Sequence, residues 1–249
     1  MNTRYFNGRY TEDTKLIDIR DCGFTTGIGV FDSLLVIDGV LQYGRDHFER
    51  LAHDCETVIG LPLPLSYDEF ETIIRTLLKK NNCLKHFARV RSTVSGGIVA
   101  APLIAAQELN ILIDAIQIKA PDSTAPYPVC IIDEYPRIAG CHLENCKRLD
   151  YSRSYAARRA AETRGCTDAI LTNTKGYIAC GPTGNLFIEE NGKLITPSLS
   201  EGVLAGVTRK NLIKEKPTSE EPITIERLKA ADKIYLTNSF IGLREIELK

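Results

Sequence analysis

The sequence predicts a mixed α/β chain in two domains, and three observations carry that reading. Short apolar runs alternate with turn dipeptides, helical periodicity interrupts them, and one proline-rich joint divides the chain near its middle. The 249 residues suffice for one large domain or two modest ones, and either size buries a real core. The joint, 120–128, reads Ala-Pro-Asp-Ser-Thr-Ala-Pro-Tyr-Pro and carries no apolar pattern. It separates a small N-terminal α/β domain, 1–119, from a larger C-terminal one, 129–249.

Residues 4–10 predict a hairpin turned at Asn7-Gly8, a dipeptide that accepts the positive φ of a two-residue turn. A glycine-rich bend at 23–29 leads into strands 30–37 and 40–43, joined by Asp38-Gly39. From His47 the period becomes helical: Phe48, Leu51, Ala52, Cys55, Val58 and Ile59 share a face, with Arg50 on the first turn. Ser66-Tyr-Asp-Glu69 is a capping box opening a second helix, whose core face is Phe70, Ile73, Ile74, Leu77 and Leu78. Residues 86–94 then alternate as a strand, with Arg89, Arg91 and Thr93 on one side, and 109–113 form another.

Past the joint, 129–133 is a short apolar strand, and a helix from about 150 to 164 ends at Gly165. Strands follow at 168–172, 177–180, 185–190 and 193–196, the last two turned at Asn191-Gly192. A helix enters after Gly202-Val-Leu-Ala-Gly206-Val-Thr208 and runs to about 215. Residues 233–237 close the series as a strand.

Composition excludes more than it selects. Hydrophobic content of 43% and charged content of 25% are ordinary for a soluble protein. A net charge of −1 gives no electrostatic case for nucleic acid or an anionic membrane. No apolar run reaches the ~18 residues a membrane span requires, and MNTRYFNGRY lacks a signal-peptide core, so a cytoplasmic protein is expected. Eight cysteines show no paired Cys-x-x-Cys spacing. Only Cys141-His142 with Cys146 invites a metal reading, and without a second ligand pair reduced thiols are expected instead, with no metal.

Chemistry concentrates in 140–187. Lys147 is the single lysine between Lys119 and Lys175. It stands ahead of a helix and of the polar loop Gly-Pro-Thr-Gly-Asn185. An amine held partly desolvated near loop amides and side chains is what Schiff-base chemistry requires. Gly206-Val207-Thr208 at a helix start offers free N–H groups and a hydroxyl to an anion.

These stretches, with Asp18-x-Arg-Asp-x-Gly23, Gly29-Val-Phe-Asp32, His47-Phe-Glu-Arg50-Leu51 and Gly206-Val-Thr-Arg209, resemble the class IV (fold type IV) pyridoxal-phosphate aminotransferases. That family includes D-amino-acid aminotransferase, branched-chain aminotransferase and aminodeoxychorismate lyase. The resemblance implies pyridoxal 5'-phosphate held at the domain interface and linked to Lys147 as a Schiff base. It implies that the freed Lys147 amine shuttles the proton from the substrate Cα. It places Arg50, Gly206, Val207, Thr208 and Thr237 at the cofactor phosphate, and Leu204 against the ring. Phe31 and Arg91 fall at substrate positions, facing an amino acid and its keto acid or aminodeoxychorismate. A homodimer is expected from the family.

Two departures matter. The family's glutamate, which keeps the pyridine nitrogen protonated, is Cys180 here, and a neutral thiol cannot stabilise a pyridinium as a carboxylate does. Glu189 and Glu190 are the nearby acids, awkwardly placed on a hairpin strand. The chain also stops at Lys249, short of the family's usual C-terminal segment, so part of a substrate pocket is expected to be missing or supplied by a partner. Three readings follow: an aminotransferase of the D-amino-acid or branched-chain type; a lyase releasing p-aminobenzoate and pyruvate, since Phe31-Asp-Ser33-Leu resembles that group's Phe-Glu-Thr-Leu; and a cofactor-binding protein with impaired catalysis.

Overall fold

Positive φ at Asn7 (44°) and Asp38 (46°), each followed by a glycine also at positive φ, turns the first two hairpins where the dipeptides place them. In the computed structural model, which describes residues 2–101, 103–121 and 127–249, the chain divides into two units. One is Met1–Ala120 with Cys146–Asp150; the other is Pro121–Asn145 with Tyr151–Lys249. Residues 122–126 of the proline-rich joint lie outside the described residues.

The first unit runs β1 (Arg4–Phe6), β2 (Arg9–Thr11), α1 (Cys22–Thr25), β3 (Gly29–Ile37), β4 (Val40–Leu41), α2 (Gly44–Ile59), α3 (Tyr67–Lys80), β5 (Phe87–Ser95) and β6 (Asn110–Gln117). Its sheet has the order β2-β1-β6-β5-β3-β4, antiparallel at every pairing. The period of two sorts the faces. Val30, Leu34, Val36, Ala88, Val90, Val94, Ile111 and Ile113 meet Leu51 and Cys55 of α2 and Phe70, Ile74 and Leu77 of α3 in one core. Each fully buried Leu or Phe there contributes about 1.5–3 kcal/mol. Arg89, Arg91 and Thr93 share the other face of β5, as the alternation predicts.

Two local readings change. The bend at 23–29 begins with a single helical turn, α1, because the Asp21 carboxylate accepts the Gly23 N–H at 2.7 Å and caps it. Helix α2 starts at Gly44, three residues before His47, so Arg50 sits on its second turn and not its first. Gly-Arg-Asp carries no apolar signal, but Asp46 suits a helix N terminus. The capping box at Ser66 and Glu69 forms in full.

The second unit runs β7 (Pro128–Arg137), a 3-10 turn at His142–Asn145, α4 (Ser152–Thr163), β8 (Asp168–Asn173), β9 (Ile178–Cys180), β10 (Asn185–Glu190), β11 (Lys193–Thr196), α5 (Val207–Glu215), β12 (Thr218–Glu220), α6 (Ile225–Ala230), β13 (Lys233–Asn238), β14 (Gly242–Glu245) and β15 (Glu247–Leu248). Strands β7 and β8 are parallel, with α4 between them in sequence. Ala157 and Ala161 of α4 let the helix lie close on Ile132, Ala169, Leu171 and Cys180. A second cluster joins Ile170, Ile178, Leu186, Ile188 and Leu236 to Leu228 of α6. Among the described residues, no helix is long and apolar enough to cross a membrane.

Candidate active site

Lys147 is carried on a ledge of chain laid against β3. The Phe31 N–H donates to the Lys147 carbonyl at 2.9 Å, and the Leu149 N–H donates to the Gly29 carbonyl at 2.9 Å. Gly29 permits the approach: a Cβ there would stand 2.5 Å from Leu149 Cδ1 and 2.6 Å from the Val94 carbonyl. From the other side, Asp54 Oδ2 accepts the Lys147 N–H at 2.8 Å. These bonds are why 146–150 group with the first unit, whereas the sequence order places them with the C-terminal domain.

The side chain is held by a ring and by charge. Lys147 Nζ stands 4.5 Å from the centre of the Phe31 ring, and the Arg91 guanidinium lies over the same ring at 3.9 Å. Burial first, and then Arg50, draw the ammonium down from 10.5 to about 8, against the pull of Asp32. Arg91 adds to the lowering. Of the two arginines on β5, it is Arg91 that reaches Phe31, two residues along β5 from Thr93, the residue directly opposite that ring.

Behind β3 sits a buried polar group. Asp32, 3% exposed, meets His47 Nδ1 at 2.6 Å through Oδ1, and Arg50 Nε donates to its Oδ2 at 2.8 Å. Burial opposes its ionisation, but Arg50 and His47 outweigh burial and hold the carboxyl well below the usual carboxylate range. Burial lifts the Asp54 carboxyl above its ordinary value.

In the second unit, Asn185 organises the phosphate-like loop. Its Nδ2 donates to the Leu204 carbonyl at 2.9 Å, and a Cβ on Gly206 would fall 2.0 Å from its Oδ1. The glycine is therefore required for Asn185 to clamp the chain entering α5. No side chain caps α5 at Gly206, so the N–H groups of Val207 and Thr208 belong to the donors that lack an intrahelical acceptor. Thr237, 1% exposed, pairs with Asn185 across β13 and β10, and its Oγ1 is buried with no hydrogen-bond partner. An orphaned hydroxyl, a cradle that excludes any Cβ and an uncapped helix start are the features a phosphate monoester fits.

Cys180 ends β9, 2% exposed, close enough to the Arg137 guanidinium to influence its ionisation. Arg137 also donates to Glu144 at 3.0 Å and to Ser154 Oγ at 3.3 Å. Burial works against its charge, but Cys180 and Glu144 hold its pKa above the ordinary arginine value. The acids near Cys180 in sequence are committed elsewhere: Glu189 accepts from the Tyr235 hydroxyl at 2.8 Å, and Glu190 from Arg227 at 2.8 Å and 3.0 Å.

Sequence reasoning names Phe31, Arg50, Arg91 and Lys147, and all four belong to the first unit. Cys180, Leu204, Gly206, Val207, Thr208 and Thr237 belong to the second. It gives no role to Asp54 or Arg137. A signal for Asp54 exists: His47, Arg50 and Asp54, at spacings of three and four, form a polar stripe along α2 beside its apolar one. Arg137, seven residues ahead of Glu144 in an irregular stretch, has none.

Residues 29–248 match the family described as Amino-transferase class IV. The chain is 31% identical to a probable branched-chain-amino-acid aminotransferase of Thermotoga maritima, over 79% of this chain and 68% of that protein. It is 26% identical to a D-alanine aminotransferase of Staphylococcus epidermidis (96% and 86% covered) and 28% identical to the aminodeoxychorismate lyase of Bacillus subtilis (96% and 84%). The fold matches the branched-chain aminotransferase structure of Escherichia coli with a TM-score of 0.89, at 24% identity, over 99% of this chain and 85% of that one.

Proposed function

The chain belongs to the class IV aminotransferase family, whose members depend on pyridoxal phosphate, and we propose that it moves an amino group between amino acids and keto acids with Lys147 as its catalytic residue. The cofactor supplies an electron sink for the charge left when a substrate Cα–H bond breaks. Everything else falls to the chain's own side chains. The observation that carries the proposal is the Lys147 amine, set over Phe31 beside Arg91 and drawn down to about 8. Near neutral pH such an amine exists in both protonation states, so it serves as nucleophile and as acid–base group.

The remaining roles follow from charge and position. Asp54 and the β3 ledge fix the Lys147 backbone, so only its side chain has to move. Arg91 presents a cation beside that amine, suited to a substrate carboxylate, and Phe31 forms an apolar wall. Arg50 suits a cofactor phosphate as a planar, always-charged donor, and Asp32 orients it. In the second unit Val207, Thr208 and Thr237 supply neutral donors for a phosphate, Leu204 an apolar contact for the ring, and Cys180 stands where the family has its glutamate. The N- and C-terminal domains, the homodimer and the cytoplasmic location expected from the sequence belong to the same proposal.

Mixing the cofactor-loaded protein with amino acids and a keto-acid acceptor tests the reading: new keto acid appears, and Lys147→Ala abolishes it. The lyase reading rests on Phe31-Asp-Ser33-Leu and on the Bacillus subtilis relative. Release of pyruvate from aminodeoxychorismate with no acceptor present would replace the first reading by the second. Cofactor bound at Lys147 without turnover of any amino acid would support the impaired-catalysis reading and point to Cys180.

A further inference from the structure

We propose that His53, Asp54 and Cys146 form a binding site for one borderline-soft divalent cation of the Zn²⁺ class, at the foot of Lys147. In the sequence Cys146 stands near Cys141 and His142, where the spacing favours reduced thiols over a metal site. Folding gives Cys146 other neighbours. One ligand atom each from His53, Asp54 and Cys146 lies within 4.8 Å of the other two.

A nitrogen, a carboxylate oxygen and a thiol sulfur are the donor set zinc takes, with bonds of ~2.0–2.3 Å that separate tetrahedral ligands by about 3.5 Å. Closing the observed cluster onto an ion needs side-chain rotation of about an ångström, not a new backbone. The sulfur and the imidazole select against Mg²⁺ and Ca²⁺, which prefer all-oxygen shells. Three protein ligands leave the fourth position open to water or a small anion.

Two of the ligands are fixed. Asp54 is 2% exposed and Cys146 7% exposed, while His53 is exposed and provides the route in from solvent. They come from α2 and from the ledge, which the bond from the Lys147 N–H to Asp54 Oδ2 holds together at 2.8 Å. The Cys146 side chain also hydrogen-bonds the Asp54 carboxylate. A cation takes the place of that shared proton: the metal–sulfur bond forms, the S–H bond breaks, and the proton goes to solvent with no change of oxidation state.

The test is titration of the full-length protein with Zn²⁺ by calorimetry. Co²⁺ in its place provides a cobalt–thiolate charge-transfer band. One ion per chain is expected. His53→Ala, a surface change, should weaken binding by at least ~10-fold, since loss of even an outer partner of a metal ligand costs 10–100-fold. Cys146→Ser should remove the charge-transfer band. Absence of stoichiometric binding, equal affinity in His53→Ala, or a thiolate band that survives Cys146→Ser would each overturn the proposal. The last would place the ion on another cysteine.

Discussion

Replacing Lys147 by methionine separates its burial from its chemistry. An ammonium that titrates at about 8 in the folded protein, against 10.5 ordinarily, is destabilised by its surroundings. At ~1.36 kcal/mol per pH unit the gap comes to about 3 kcal/mol. A lysine whose folded pKa is depressed costs that amount in full below about pH 8, and the cost fades as pH rises towards 10.5. Lys147→Met, free of cofactor, should therefore be more stable than the equally cofactor-free parent by about 3 kcal/mol at pH 7. The advantage should shrink steadily between pH 8 and pH 10. Urea unfolding of both proteins across that range measures it, and groups common to the two cancel. A constant difference, or a variant less stable at pH 7, would refute the claim that burial and Arg50 depress this amine.

Three further outcomes follow. Asp32→Asn removes the buried carboxylate that Arg50 and His47 contact and should cost about 3 kcal/mol in urea unfolding at neutral pH; because the Asp32 pKa is depressed, the difference should persist above pH 4 and diminish only as acid protonates the parent carboxyl. Gly206→Ala sets a Cβ 2.0 Å from Asn185 Oδ1 and should weaken pyridoxal-phosphate binding by ~10-fold or more, about 1.4 kcal/mol, in a fluorescence titration; unchanged affinity would remove Asn185 from the account. Cys180→Glu should speed the stopped-flow half-reaction with an amino acid, and an unchanged rate would show that the thiol is not what limits proton removal.

Legibility followed the range of the interaction. Capping at Ser66, the turns at Asn7-Gly8, Asp38-Gly39 and Asn191-Gly192, and the apolar stripes of α2 and α3 are set by neighbours within a few residues, and they stand in the structure as read. The start of α2 leaves no signal in the sequence because its first turn is polar and lacks a side-chain cap, with Tyr43 at positive φ in the cap position. The site divides the same way. Lys147 and Arg91 are visible as residue types in a pattern, but the bond from Lys147 to Asp54 spans 93 positions and leaves no local trace. Gly29 reads as a turn glycine, and only the ledge and the Val94 carbonyl packed against it explain why no side chain fits there.

Cys180 is where pattern and packing meet. The thiol replaces an acid, yet its surroundings remain those of an anion site. Arg137 lies near the sulfur and donates to Glu144, and Arg153 also pairs with Glu144, so two guanidinium groups share one carboxylate. A glutamate at 180 would restore the balance, which is why Cys180→Glu is expected to fold. It would also put Arg137 in competition with a pyridine nitrogen for that carboxylate. The double variant with Arg137→Met removes the competitor. If the carboxylate acts on the ring, the double variant should exceed Cys180→Glu in half-reaction rate, whereas a carboxylate that only neutralises Arg137 leaves the double variant slower.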